Sequence, residues 1–182
     1  MYSYVALLRS INVAGHHIIK MADLRNVLDH PDLSQVATYL QSGNVVFKSS
    51  LKNTSALEEL FRQIIESSFG YDIQVKVIEE TVFLQHFNEN PFLKEGQLDT
   101  KKMYFVEIIG HVDQEAFKEV TENNQLPETM ILSNGLIYVY YVNGYGRSKV
   151  SGSFFEKKLH CHVTARNFNT MKKLCEMLKS MN

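Results

Sequence analysis

Apolar positions in the first 78 residues alternate between two periods. Runs of strand length are separated by two segments in which apolar residues recur every three or four positions, the spacing of a helix face. The elements so predicted are a strand Tyr2–Leu8, a helix beginning at Met21, strands Val36–Leu40 and Val45–Lys48, a helix ending at Gly70, and a strand Ile73–Val77. This βαββαβ order is that of a ferredoxin-like unit.

The same order begins again after a connecting segment. Glu79–Asn90 predicts a linker helix that Pro91 ends, and a polar loop follows it. The later elements are a strand Lys102–Ile109, a helix capped by Asp113, strands Met130–Leu132 and Leu136–Val142 around an Asn134-Gly135 turn, a helix after Ser153, a strand around Val163, and a last helix capped by Asn167. We therefore predict an α+β fold of two ferredoxin-like halves with a linker helix and an extra C-terminal helix, divided as residues 1–78, 79–101 and 102–182.

Two of these helices carry the sequence signature of a capping box. Ser55 with Glu58, and Ser153 with Glu156, place a hydroxyl and a carboxylate three residues apart near the start of an apolar stripe. In that motif the two side chains accept backbone N–H groups at the helix start. We expect both glutamates to be used in this way.

Element order brings polar residues of the first half together although they are not contiguous. In a βαβ unit the loop after the first strand and the hairpin after the second lie at one end of the sheet. This places Arg9 and Asn12 near Ser42 and Asn44. The favoured interpretation is that the asparagines bond backbone groups of the loops, while Arg9 faces a ligand.

A second polar cluster is expected where the third strand of the second half ends and the fourth strand exits. Arg147, Ser148 and Lys149 should there lie near Arg166 and Asn167. Because the first N–H groups of a helix lack partners, a basic loop beside a helix start is able to bind phosphate. The alternative is that the helices are capped locally and the cations are solvated or paired.

Charge is divided unevenly along this chain of formal net charge -1. Residues 144–182 carry 8 Lys/Arg against 2 Asp/Glu, whereas residues 1–143 carry 11 against 18. Lys172 and Lys173 also fall in the first turns of the last helix, where the helix dipole disfavours cations. We therefore predict a small anionic, phosphate-containing ligand at this basic region, with Thr170 of the same helix among the ligand-binding residues.

Nucleic acid is the alternative partner, and Tyr138, Tyr140 and Tyr141 would provide the rings for base stacking. The strand that carries them is predicted to be central, so helices cover at least one of its faces. No RNA-binding motif accompanies them. Core packing is therefore the favoured role of these tyrosines.

Motifs for metal, cofactor and catalytic chemistry are weak. On a strand, His160 and His162 share one face and Cys161 the other, and two histidines are fewer ligands than a zinc site needs. The chain has no Ser-His-Asp spacing, P-loop or dinucleotide fingerprint. We expect no metal and no cofactor and assign no catalytic residue, which leaves an enzyme acting on a phosphorylated substrate as the third hypothesis.

Composition limits the compartment. No apolar run approaches the roughly 20 residues of a membrane helix, and the N-terminus resembles a first strand more than a signal peptide. Cys161 and Cys175 lie far apart and imply no disulfide framework. The sequence thus predicts a cytoplasmic protein without a membrane partner.

Four motifs, in this order, resemble those of a known family: YVALLRSINVAG, TYLQSGNVVF, YGRSKVSGSFFEKKL and VTARNFNTMKKL. Over nearly its whole length the chain is similar to the bacterial proteins called domain of unknown function 1697. The resemblance implies an α+β fold related to paired ferredoxin-like units, and no established activity. Ser10 and Ala14 stand where the family usually has glycine and Phe168 where it has Trp, so a stiffer first loop is expected.

Overall fold

The structure is a computed structural model that describes residues 1–95, 98–123 and 126–181. The elements of the first series are β1 Tyr2–Leu8, α1 Met21–Val27, β2 Ser34–Tyr39, β3 Asn44–Ser49, α2 Thr54–Phe69, β4 Val75–Glu79 and α3 Glu80–Asn88. Those of the second series are β5 Met103–Ile109, α4 Gln114–Asn123, β6 Thr129–Ser133, β7 Leu136–Tyr140, α5 Gly152–Leu159, β8 His162–Asn167 and α6 Phe168–Ser180. Three short 3-10 helices lie at Pro91–Glu95, Thr100–Lys102 and Tyr145–Arg147.

Each series forms a four-stranded antiparallel sheet. The strand orders are β2-β3-β1-β4 and β6-β7-β5-β8, so the first strand of each series is central beside the third and fourth. This is the strand order that a βαββαβ chain produces, and it confirms the predicted α+β fold of two ferredoxin-like halves. The chain divides into two compact units, a first unit of Met1–Gln85 with Lys173–Asn182 and a second unit of His86–Lys172.

In the first unit, one face of the sheet and the inner faces of α1 and α2 form the core. Tyr4, Ala6 and Leu8 alternate along β1 and point to this side, where they pack with Phe47 and Phe61. The rings of Phe47 and Phe61 lie 4.9 Å apart. Alternation in the strand and the apolar stripe of α2 therefore meet as the sequence predicts.

The second unit repeats this arrangement around β5. Val106 and Ile108 point into a core that also holds Ile137, Val139 and Phe155. Asp113 accepts the N–H of Glu115 and thereby caps the start of α4, as predicted. The core side of this sheet is the one against which α4 and α5 pack.

Both predicted hairpin turns are present, and each uses a glycine with positive φ. Asn134 and Gly135 have φ of 54° and 79°, the left-handed pair of a two-residue hairpin. Gly43 has φ of 69° and lies so close to β1 that a Cβ there would be 2.6 Å from Cβ of Leu8. Only glycine fits at position 43 without displacing Leu8.

The two predicted capping boxes are wrong. α2 is capped by Asn53, whose Oδ1 accepts the N–H of Ala56, and α5 is capped by Ser151, whose Oγ accepts the N–H of Phe154. Glu58 and Glu156 instead accept N–H groups of the following strands, those of Val77 at 3.0 Å and Val163 at 3.2 Å. The S-x-x-E pattern does not show that another residue nearby already caps the helix.

Candidate functional site

The candidate site is at one end of the second sheet and is built on Tyr104. Tyr104 is the second residue of β5, pairs with Asn167 of β8, and packs against the core. The ring of Tyr145 stacks on that of Tyr104 with centroids 4.7 Å apart and an angle of 14° between the planes. Tyr141 presents its ring at 88° to Tyr145, at 5.1 Å. We call this the tyrosine end of the second unit.

The loop from Tyr141 to Val150 is held at this end by backbone and aromatic contacts. The N–H of Tyr141 donates to the carbonyl oxygen of Lys102 at 2.9 Å, and Nζ of Lys102 donates to the carbonyl oxygen of Val142 at 2.6 Å. The 3-10 helix Tyr145–Arg147 follows. The basic part of the loop is therefore anchored to β5 through a tyrosine and a lysine.

Four cations are gathered in these segments. Lys101, Arg147 and Lys149 are exposed, and Lys102 is half-buried. Among the described residues, no carboxylate forms an ion pair with any of the four. The start of α5 follows Lys149 by three residues and adds the partial positive charge of a helix N-terminus. The loop and the segment before β5 therefore carry four cations that have no carboxylate partner among the described residues.

Three of the predicted ligand-binding residues make local hydrogen bonds in the second unit. Oγ of Ser148 accepts the N–H of Val150 at 2.9 Å, and Oδ1 of Asn167 accepts the N–H of Thr170 at 2.8 Å. Asn167 therefore caps α6, as the sequence predicts. Thr170 is buried within the first turn of that helix.

Arg166 does not join the loop of Arg147. It pairs with Phe105, so its side chain lies on the opposite face of the sheet from Tyr104, and it is 8% exposed. Its Nη1 donates to Oγ1 of Thr164 at 2.8 Å and to the carbonyl oxygen of Ala165 at 2.9 Å. Burial lowers the pKa of Arg166 to about 10, and the carboxylate of Glu107 opposes that shift.

Glu107 is the buried counter-charge on this face of the sheet and is 1% exposed. Its Oε1 lies 3.0 Å from Nδ1 of His86. Among the described residues its Oε2 has no hydrogen-bond partner. The hydroxyl of Tyr138, on the same face, donates to the carbonyl oxygen of His86. Sequence reasoning missed this cluster because Glu107 and His86 stand in segments that predict only a strand and a helix.

The first polar cluster is a set of amide bonds that fix the loops. Nδ2 of Asn12 donates to the carbonyl oxygens of Ile19 at 2.8 Å and Gln41 at 2.7 Å, while its Oδ1 accepts the N–H of Ile19. Nδ2 of Asn44 donates to the carbonyl oxygen of Tyr39 and to Oγ of Ser42, both at 2.9 Å. The predicted meeting of the first loop and the hairpin is confirmed, and both asparagines bond backbone groups as expected.

The first loop also holds strained backbone. Ser10 and Ala14 have φ of 53° and 49°, in the left-handed region that favours glycine. The half-buried Arg9 directly precedes them, and its N–H donates to the carbonyl oxygen of Gln74. The stiffness expected of this loop is therefore accompanied by left-handed conformations that side chains rarely adopt.

The histidines considered for a metal lie around a cavity at the other end of the second sheet. His160 ends α5 in the left-handed region and is not part of β8, which corrects the prediction that it shares a strand with His162. A cavity of about 310 Å³ is lined by Ile109, Gly110, His111, Glu156, His160, Cys161 and His162. Burial, and then the charge of Glu156, raises the pKa of the Cys161 thiol. Within the described residues, no group of three or more His, Cys, Asp or Glu has the arrangement of a metal site.

The fold and these sites define an α+β protein of paired ferredoxin-like units. Residues 1–138 match the sequence model of the family described as protein of unknown function (DUF1697), and the chain belongs to this family. A conserved bacterial protein from Streptococcus pneumoniae has a similar structure, with a TM-score of 0.71 and 22% sequence identity over 97% of this chain and 98% of that one. No curated protein matches the chain significantly. In the described part of the chain, no helix has the length and apolar character to cross a bilayer.

Proposed function

We propose that the protein binds a small, phosphate-containing ligand at the tyrosine end of its second unit. The observation that carries the proposal is the exposure of Arg147 and Lys149 without a carboxylate partner among the described residues, on a loop that aromatic stacking holds in place. Exposed cations are common on protein surfaces. These belong to a loop that is also contacted by Lys102 of another segment, which favours a common ligand.

The contacts of the remaining candidate residues divide them by role. Arg147 and Lys149 would bind the phosphate directly, while Ser148, Asn167 and Thr170 shape the backbone around it through the bonds they make. Arg166 would contribute long-range positive charge from the other face of the sheet. Arg9, Asn12, Ser42 and Asn44 belong to the first unit, where we propose a loop-fixing role for the two asparagines.

A thermal-shift screen tests the proposal. The panel contains inorganic phosphate, nucleotides, sugar phosphates and short oligonucleotides, each at low and high salt. A ligand at about 100 times its Kd stabilises the fold by about 2.7 kcal/mol, which raises the melting temperature measurably. A shift with oligonucleotides alone that disappears at high salt would favour the nucleic-acid hypothesis instead, because phosphate contacts release counterions.

A matched pair of variants locates the site. Arg147→Ala/Lys149→Ala and Lys157→Ala/Lys158→Ala each remove two exposed positive charges, the first from the loop and the second from the last turn of α5. Binding should be lost in the first variant and retained in the second. Equal binding by both variants would refute the assignment of the ligand to the loop.

The compartment proposed with this function is the cytoplasm. Cys161 and Cys175 are both free thiols in the structure, and burial raises the pKa of Cys175 to about 11. Free, weakly reactive cysteines are compatible with a reducing compartment. Fractionation of the source cells, followed by detection of the protein, tests this location.

A further inference from the structure

Tyr145 is unusual among the aromatic residues of the second unit because it is exposed while being rigidly held. Its side chain is 39% exposed, whereas Tyr138 and Tyr141 are buried. The ring of Tyr145 stacks on that of Tyr104, and the ring of Tyr141 lies nearly perpendicular to it. Because Tyr104 packs against the core, these contacts hold the ring of Tyr145 while leaving it partly exposed to solvent.

An exposed ring that is held in place has a natural ligand in another flat ring. Every nucleobase has a π face, so stacking on tyrosine tolerates differences in base identity. Holding the ring in place before binding removes the entropy cost of ordering it.

The exposed cations of the loop are close to Tyr145 along the chain. Arg147 is two residues from Tyr145 in a single turn of 3-10 helix, a rise of about 4 Å, and Lys149 follows two residues later. Both side chains are long and exposed. They are therefore the cations of this loop that are available to the polar substituents of a ring stacked on Tyr145.

We propose that the ligand of the tyrosine end is a mononucleotide whose base stacks on Tyr145 and whose phosphates bind Arg147 and Lys149. This inference rests on the proposed function and narrows its ligand class. A nucleic-acid strand fits less well, because strand binding uses several exposed rings in succession. In the described part of the second unit, Tyr145 is the one aromatic residue among the exposed large hydrophobic side chains.

Calorimetric titration separates the base from the phosphates. The probes are ADP, pyrophosphate, ribose 5-phosphate and adenosine, each titrated into the full chain. Stacking should make ADP bind about tenfold or more tightly than pyrophosphate or ribose 5-phosphate. Adenosine should bind weakly, because it lacks the charge that Arg147 and Lys149 attract.

Variants of Tyr145 then test its role directly. Tyr145→Ala should lower the affinity for ADP about tenfold more than it lowers that for pyrophosphate, while Tyr145→Phe should keep both affinities. Arg147→Ala/Lys149→Ala should weaken both probes. The melting temperature of each variant is measured in parallel, and Tyr145→Phe keeps the ring in case Tyr145→Ala disturbs the loop.

The outcomes distinguish this inference from the function on which it rests. If pyrophosphate binds and ADP binds no more tightly, or if Tyr145→Ala binds ADP like the unmodified chain, the mononucleotide is refuted and the phosphate site stands. If neither ADP nor pyrophosphate binds, both proposals fail. If an octameric oligonucleotide binds while ADP does not, the mononucleotide is refuted in favour of a strand.

Discussion

Strand register aligns the two units residue by residue and shows where their chemistry differs. Leu7 of β1 lies between Asn44 and Lys76, and Glu107 of β5 lies between Leu136 and Thr164. Four pairs of corresponding buried positions on this face of the two sheets are Val5 and Phe105, Leu7 and Glu107, Val46 and Tyr138, and Ile78 and Arg166. At these four positions the first unit is aliphatic and the second is aromatic or charged.

The loops that leave the two sheets are held in place by different kinds of contact. In the first unit, Asn12 and Asn44 fix the loops by amide hydrogen bonds to backbone. In the second unit, stacking between Tyr104 and Tyr145 fixes the loop and leaves cations beside it. In the first unit the two asparagines are thus engaged with backbone, whereas in the second unit the loop after β7 carries exposed Arg147 and Lys149 without a carboxylate partner among the described residues. This is why the proposed ligand site is assigned to the second unit.

Replacing Glu107 by leucine, the residue at the equivalent position of the first unit, should have the largest effect on stability. Glu107→Leu removes the carboxylate that accepts a hydrogen bond from His86. It also removes the buried negative charge that favours the charged form of Arg166. Loss of one partner of a buried ionic group costs about 3–5 kcal/mol, so the urea midpoint should fall sharply.

The double variant Glu107→Leu/Arg166→Ile copies both Leu7 and Ile78 of the first unit and serves as the comparison. Because it removes the buried positive charge as well, it should recover a large part of the lost stability. If the double variant is no more stable than Glu107→Leu, the unpaired charge of Arg166 is not the cause of the stability lost in Glu107→Leu.

The two hairpin glycines provide the next comparison. Gly43 and Gly135 both have positive φ and directly precede the third strand of their unit. A Cβ at Gly43 would meet Leu8 at 2.6 Å and Ile11 at 2.9 Å, whereas at Gly135 nothing lies within 4 Å. Gly135→Ala should cost about 1–2 kcal/mol for the left-handed backbone alone, and Gly43→Ala about 1–3 kcal/mol more for overpacking. Equal losses in urea unfolding would show that β1 moves aside freely.

Local pattern and topology account for most of the fold and for part of the candidate site. Alternation and helical spacing predicted the strands and helices, and the order βαββαβ then brought Asn12 to Gln41 across 29 positions. In β8, Val163 and Ala165 alternate with Thr164 and Arg166, so the strand has a polar face. The burial of this face was not predicted, because it depends on packing that one strand does not encode.

The parts of the site that sequence reasoning missed are set by long-range contacts. Lys101 stands at the end of a predicted polar loop and Lys102 at the start of a predicted strand, and the place of Lys102 beside Val142 depends on the pairing of distant strands. The stacking of Tyr145 on Tyr104 joins residues 41 positions apart. The YGR sequence places the aromatic residue Tyr145 just before Arg147. The sequence alone does not show that this tyrosine stacks on the ring of Tyr104.

The smallest expected effect is a loss of stability at alkaline pH that comes from the aromatic second unit. Tyr141 is buried one residue beyond the Met103–Tyr140 pair, where the first unit has Ser49. Burial raises the pKa of Tyr141 above its ordinary value of about 10, with smaller effects from Tyr145 and Tyr104. Above that value the unfolded chain releases a proton that the folded chain keeps.

Stability from the neutral Tyr141 is therefore complete below pH 10 and is lost as the pH rises further. The loss from this one residue is about 1.4 kcal/mol for each pH unit above 10. Tyr141→Phe removes the ionisable hydroxyl, so its free energy of unfolding should fall less steeply between pH 10 and 11.5 than that of the unmodified chain. Urea unfolding at several pH values measures both slopes. The difference between the two chains at pH 7 gives the effect of the substitution itself and is subtracted. Identical slopes would show that Tyr141 ionises in the folded protein as readily as in the unfolded chain, and that the aromatic cluster is open to solvent.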